Sequence, residues 1–145
     1  MTDPAPRRRI LTVCLGNYCR SPFAAVVLAD RGGEALEARS AGLLDLWVGG
    51  TAHPQMIAAA ADLGFDLTGH HPARVDREMI DRADLVLAMD RSVLAQLRPV
   101  AGPANQAKLR LYLEDGDVPD PMGRSQRAFA ESAAIIVAGA AAHLP

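Results

Sequence analysis

The chain has 145 residues, 50% of them hydrophobic and 22% charged, with a formal net charge of -2. That is enough apolar content for one buried core and a single domain. It excludes the broad basic field of a nucleic-acid binder, and no uninterrupted apolar run is long enough to span a bilayer.

Residues 1–8, with their prolines and arginines, read as a flexible leader, and Arg7, Arg8 and Arg9 as a solvated basic tail. A single domain is expected over 9–145. The arginines are followed by only the short apolar run Ile10–Val13, which is no secretory signal. The sequence has two cysteines, Cys14 and Cys19, and in such a chain they are expected to be reduced, reactive thiols of a cytoplasmic protein.

Ile10–Val13 has the pattern of a strand buried on both faces. A loop follows over Cys14–Arg20. Ser21 as N-cap and Pro22 at the first helical position then open a helix carrying Phe23, Val26 and Val27, which ends near Gly32 and Gly33. Leu36–Ala41 predicts a second strand. A long loop with Trp47 leads to a helix over Pro54–Leu63 closed by Gly64. Asp84–Met89 predicts a third strand, Asp90 caps a helix running to about Leu97, and Lys108–Leu113 predicts a fourth strand. From Ser125 to His143, Phe129, Ala133, Ile136 and Ala140 recur at helical spacing. The alternation predicts an α/β protein of three layers: an open parallel sheet with helices on both faces and the ligand beyond the carboxyl ends of the strands.

The segment Cys14-Leu15-Gly16-Asn17-Tyr18-Cys19-Arg20-Ser21 joins the first strand to the proline-opened helix, where unpaired loop and helix amides and the helix dipole favour an anion. Gly16 and Asn17 tolerate the backbone conformations such a loop needs. A thiol beside a helix N-terminus and a cation is converted toward thiolate, so Cys14 is the candidate nucleophile. Ser21 is placed to donate to it. Arg20 supplies a planar fork for two phosphoryl oxygens. A packing role for both cysteines and a zinc site with His70 or His71 are the weaker alternatives, the latter because the spacing matches no common finger. A nucleotide P-loop is excluded, because its lysine is missing and the chain's only lysine is Lys108.

Cys14 to Pro22 resembles the loop of the low-molecular-weight protein tyrosine phosphatases. The resemblance continues through Ser40-Ala41-Gly42, His71 with Ala73-Arg74, Met89-Asp90 and Asp120-Pro121, from Arg9 to Leu144. It implies a four-stranded parallel sheet of the flavodoxin- or Rossmann-like phosphatase I fold, Cys14 as nucleophile, Arg20 as transition-state clamp and Ser21 as donor to the sulfur. It also implies that Asn17, Ser40 and His71 form a network supporting the loop.

A thiolate that displaces phosphate leaves an oxyanion needing a proton. Asp120, in Val118-Pro119-Asp120-Pro121 beyond the fourth strand, emerges at the same sheet edge, and the prolines stiffen its backbone. It matches the family's general acid. A free aspartate of pKa near 3.9 is protonated about one time in a thousand at pH 7, so the rate should rise in mild acid. Asp115 and Asp117 read as a solvated acidic turn, and Asp90 as a helix cap.

Many relatives carry tyrosine after Asp-Pro, where this chain has Met122 and Gly123; Leu46 stands where relatives often have an aromatic residue. Tyr18 and Trp47 are expected to rebuild the substrate wall together with Leu46 and Met122. The leading expectation is hydrolysis of phosphotyrosine in proteins, releasing inorganic phosphate, with no cofactor, no metal, no nucleic acid and no membrane partner. The alternatives are a phosphatase of phosphoarginine or a small phosphate ester, or a non-hydrolysing phosphate-binding module. Arsenate reduction would need a further cysteine after Cys19, and none follows.

Overall fold

The structure, a computed structural model, describes residues 6–145. Strand β1 (Arg8–Cys14) is followed by helix α1 (Arg20–Gly32), strand β2 (Leu36–Gly42), helices α2 (Pro54–Asp62) and α3 (Arg77–Arg82), strand β3 (Leu85–Ala88), helix α4 (Arg91–Ala101), strand β4 (Leu109–Leu111) and helix α5 (Gln126–Ala140). The strands form one four-stranded sheet in the order β2-β1-β3-β4, and every pair is parallel. This is the expected α/β architecture.

Alternating strand residues feed two cores, which is why the strand sequences read as continuous apolar runs. Ile10, Leu36, Leu85 and Leu87 join Phe23, Leu28, Met56 and Phe129 on the α1, α2 and α5 side. Leu11, Val13, Val86 and Ala88 join Ile80, Val93 and Leu97 on the α3 and α4 side. Each of these side chains larger than alanine contributes roughly 1.5–3 kcal/mol on burial. The chain steps from β1 outward to β2, then back across β1 to β3. Between β1 and β3 the connections therefore leave in opposite directions, opening a crevice at the strands' carboxyl ends. Cys14 ends β1 and Asp90 lies just past β3.

Several boundaries differ from the sequence expectation. Residues 1–5 of the expected leader lie outside the described residues, and its last residue, Arg8, already pairs with Leu36 in β1. Helix α1 begins at Arg20 with Cys19 at the N-cap, because the Ser21 hydroxyl is engaged elsewhere. Helix α3 has no counterpart in the expectation: six residues are too few to display a helical period, although Asp76 caps it by accepting from the Met79 amide at 2.8 Å. Helix α4 runs past Leu97 through Pro99 to Ala101. Strand β4 is shorter than Lys108–Leu113, because a 3-10 turn occupies Pro103–Lys108.

Candidate active site

The loop after β1 is held by its carbonyls. The Cys14, Leu15 and Tyr18 carbonyls accept from the amides of Leu43, Leu44 and His53 at 3.1, 2.9 and 2.9 Å. The Asn17 carbonyl lies 2.9 Å from Nε2 of His70. By contrast, the amides of Gly16, Asn17, Tyr18 and Cys19 donate to no protein group among the described residues. A loop whose carbonyls are engaged and whose amides are free is suited to receive an anion.

Asn17 organises the loop's interior. It is the one non-glycine residue with positive φ among the described residues, at 54°, a conformation asparagine tolerates. Its side chain accepts from the Ala73 amide through Oδ1 at 2.9 Å and donates through Nδ2 to Ser21 Oγ at 2.9 Å. That bond occupies a lone pair of the hydroxyl and leaves its proton for another acceptor. Cys14 Sγ is at 3.0 Å and the Ala41 carbonyl at 3.4 Å, so the sulfur is the nearer target. Buried Thr12 accordingly takes over the Ser21 carbonyl, donating to it at 2.8 Å. Gly42 is required beneath this turn, since a Cβ there would stand 2.6 Å from the Asn17 nitrogen and the Gly16 carbonyl carbon.

The supporting network differs from expectation in its outer members. His70, not His71, reaches the loop, and His71 is exposed. Burial lowers the His70 pKa, the bond to Asn17 opposes that shift, and neighbouring His71 adds to it. A neutral ring must donate from Nε2 to this carbonyl acceptor. Ser40 pairs with Thr12 in the sheet, and among the described residues no hydrogen bond joins its side chain to Asn17.

Arg20 is only 3% exposed. Its Nη1 donates to Asp90 Oδ2 at 2.7 Å and to the Val118 carbonyl at 2.9 Å. Asp90 Oδ1 meanwhile caps α4, accepting from the Val93 amide at 2.7 Å. One carboxylate therefore both caps a helix and fixes the guanidinium. Val118, two residues before Asp120, ties the aspartate loop to the same cation. Asp117 is more than a solvated turn residue: its Oδ1 accepts from the Arg91 amide at 2.9 Å and joins that loop to the start of α4.

Cys14, Arg20, Asp120, Leu15, Gly16, Tyr18, Cys19, Trp47 and Met122 line one recess of about 120 Å³. On its wall the Trp47 ring lies against Gly16, where a Cβ would fall 2.1 Å from the indole. Trp47 stacks on Tyr18 with centroids 4.5 Å apart and planes 9° from parallel. Tyr18 then meets His53 at 4.9 Å, and His53 meets core residue Phe129 at 4.7 Å, a ladder from the mouth to α5. Leu46 is outside the recess and 68% exposed. Both cysteines are buried and free. Burial, then the nearby Cys14 and the Asp120 carboxylate, push the Cys19 thiol up, with Arg20 opposing in part, so Cys19 stays protonated.

The model of the low molecular weight phosphotyrosine protein phosphatase family matches residues 9–144. The chain belongs to this family. It is 37% identical over 126 residues to the low molecular weight protein-tyrosine-phosphatase Etp of Escherichia coli, covering 83% of this chain and 81% of that one. The structure superposes with a TM-score of 0.88 on Vibrio vulnificus Wzb in complex with benzylphosphonate, at 27% identity over 95% of this chain and 97% of that one. It superposes with a TM-score of 0.84 on YwlE arginine phosphatase with a phosphorylated active-site serine, at 28% identity over 91% of this chain and 90% of that one. The protein is thus an enzyme of the tyrosine-phosphatase kind.

In this family member, sequence reasoning missed the second role of Asp90, the choice of His70 over His71, and the His53 and Phe129 rungs of the ladder. Asp90 carried a signal: it follows a doubly buried strand, at the edge where ligands bind. The adjacent histidines carried none, because only the turn of residues 67–73 decides which ring faces Asn17. Among the described residues, no group of three or more His, Cys, Asp or Glu side chains could hold a metal ion, and no helix is long and apolar enough to cross a membrane.

Proposed function

We propose that this enzyme hydrolyses phosphotyrosine in proteins through a cysteinyl-phosphate intermediate. The observation that carries the reading is the convergence of Cys14, buried Arg20 and Asp120 on one recess beneath a loop of free amides. The Cys14 sulfur attacks phosphorus while the loop amides and Arg20 hold the phosphoryl oxygens, which gather negative charge in the transition state. The bond from phosphorus to the tyrosyl oxygen breaks, and Asp120 gives that oxygen its proton. The Asp120 carboxylate then takes a proton from water, whose oxygen attacks the cysteinyl phosphate and releases inorganic phosphate and the Cys14 thiolate. Nucleophile, clamp and acid are all side chains, so the sequence of steps calls for no cofactor, and we place the enzyme in the cytoplasm with phosphorylated proteins as its partners.

The Ser21 hydroxyl, oriented by Asn17, stabilises the thiolate in the resting enzyme and as the leaving group of the second step. The Tyr18–Trp47 stack supports an aromatic leaving group, since a phenolic ring can lie along it. A second reading, phosphoarginine hydrolysis, is favoured by the likeness to YwlE arginine phosphatase. Steady-state turnover of p-nitrophenyl phosphate, phosphotyrosine peptide, phosphoserine peptide and phosphoarginine by the wild type and Cys14→Ser tests both. Phosphotyrosine peptide should lead, and Cys14→Ser should lose about 1000-fold or more in kcat. A clear preference for phosphoarginine would favour the second reading, and no turnover of any compound would overturn the first.

A further inference from the structure

The side chains around the mouth of the recess are unusually apolar for exposed positions. Leu15, Leu44, Leu46, Val48 and Met122 are all exposed large hydrophobics, at 39%, 39%, 68%, 54% and 38%. Outside this set, the exposed large hydrophobics among the described residues are only Leu63 and Val100, which lie elsewhere in the fold. Two of the five line the recess, and the other three lie in the segment that carries Trp47 to its edge; we take them together as its rim. Leu15 and Met122 line the recess itself, the Leu44 amide bonds the Leu15 carbonyl at 2.9 Å, and Leu46 and Val48 flank Trp47 within a turn closed from the Val48 amide to the Asp45 carbonyl at 3.2 Å. The stretches 43–50 and 119–123 contain no cation; their charges are Asp45 and Asp120. Arg124 follows the second stretch, and Arg20 is buried at the recess floor.

We infer that this apolar rim selects phosphoprotein segments whose residues next to the phosphorylated side chain are themselves apolar, and that it disfavours acidic segments. The inference rests on the phosphatase reading above and names a substrate class for it. The occupant follows from continuity. A phosphorylated side chain that reaches Cys14 and Arg20 fills the recess from its mouth, so the residues on either side of it lie at the rim. There, apolar neighbours cover Leu46 and Val48 and remove both surfaces from water. Carboxylates in the same place would be desolvated beside Asp45 and would meet no free cation in the rim stretches.

The test compares kcat/KM for phosphotyrosyl peptides of equal length flanked by leucine or valine, by aspartate or glutamate, and by serine. Each value is taken relative to p-nitrophenyl phosphate, which has no flanking residues to lie on Leu46 and Val48. The apolar flanks should exceed the acidic ones by about tenfold. Leu46→Ser with Val48→Ser should shrink that ratio severalfold, and Leu46→Lys should raise the acidic peptides relative to the apolar ones. Both positions are exposed, so folding is not at stake. Turnover of p-nitrophenyl phosphate with equal rates on all flanks, or a ratio unmoved by these substitutions, would overturn the inference while leaving the phosphatase reading standing. Failure to turn over any substrate would overturn both.

Discussion

The recess has two sides built by different rules. On the phosphate side, Cys14, Asn17, Arg20 and Ser21 are buried, and the side chains of Asn17, Arg20 and Ser21 each make at least one hydrogen bond within 3.5 Å. On the leaving-group side, Trp47, Met122 and Asp120 stand on loops, half-buried or exposed: Trp47 is held by stacking on Tyr18, and Asp120 Oδ1 accepts from the Met122 amide at 3.1 Å. A phosphoryl group is the same in every substrate, so its cradle can be rigid and closed. The group it is attached to varies, and the wall that meets it is correspondingly open.

If this division is correct, damage to groups that touch reacting atoms should appear in kcat, and damage to the wall in KM. Short of removing the nucleophile itself, the largest effect is expected for Asp120→Asn, which keeps the shape but cannot protonate the departing oxygen. It should lower kcat on a phosphotyrosine peptide by about 100- to 1000-fold, and much less on p-nitrophenyl phosphate, whose leaving group hardly needs a proton. Equal losses on the two substrates would remove Asp120 from the acid role.

Asp90→Asn comes next. An asparagine can still cap α4, but it leaves buried Arg20 without its counter-charge. Stability should fall by about 2–4 kcal/mol, read as a lower urea midpoint, and kcat/KM by about tenfold as the guanidinium loses its fixed orientation. An unchanged urea midpoint would mean that the pair contributes little.

The third prediction concerns pH. Burial holds the pKa of folded His70 below the ordinary imidazole value near 6.5, so the unfolded chain takes up this proton first. The stability tied to neutral His70 is complete above about pH 6.5 and is lost as pH falls through that value toward the folded pKa. Urea midpoints measured between pH 7.5 and 5.5 should decline, and His70→Gln should make the decline shallower. His71→Gln, at an exposed ring, should alter the decline much less.

The smallest effect belongs to the ladder. Tyr18→Leu removes the ring that backs Trp47 and should raise KM for aromatic phosphates about three- to fivefold with kcat little changed. A loss confined to kcat would move Tyr18 from the wall into the cradle.

How much of the molecule is legible in its sequence follows the same division. The strand before Cys14, the proline-opened helix, Asn17, Arg20 and Ser21 lie close together in the chain, so their shared purpose shows in local spacing. Asp120 is distant, yet its flanking prolines and its place beyond the fourth strand single it out. The wall is only partly legible: Trp47, Tyr18 and Met122 line the recess, whereas Leu46 is outside it and exposed. Loop side chains have no periodicity from which a direction can be read.

The sequence alone determined the alternation of strands and helices, the loop suited to an anion and the candidate nucleophile and clamp, because buried periodicity and loop chemistry are local properties of the chain. Tertiary structure decided that His70 rather than His71 supports Asn17, that Asp90 holds Arg20 across 70 residues, and that Trp47 rests on Gly16. These are contacts between segments far apart in the chain, and their geometry exists only once the sheet has brought the segments to one edge.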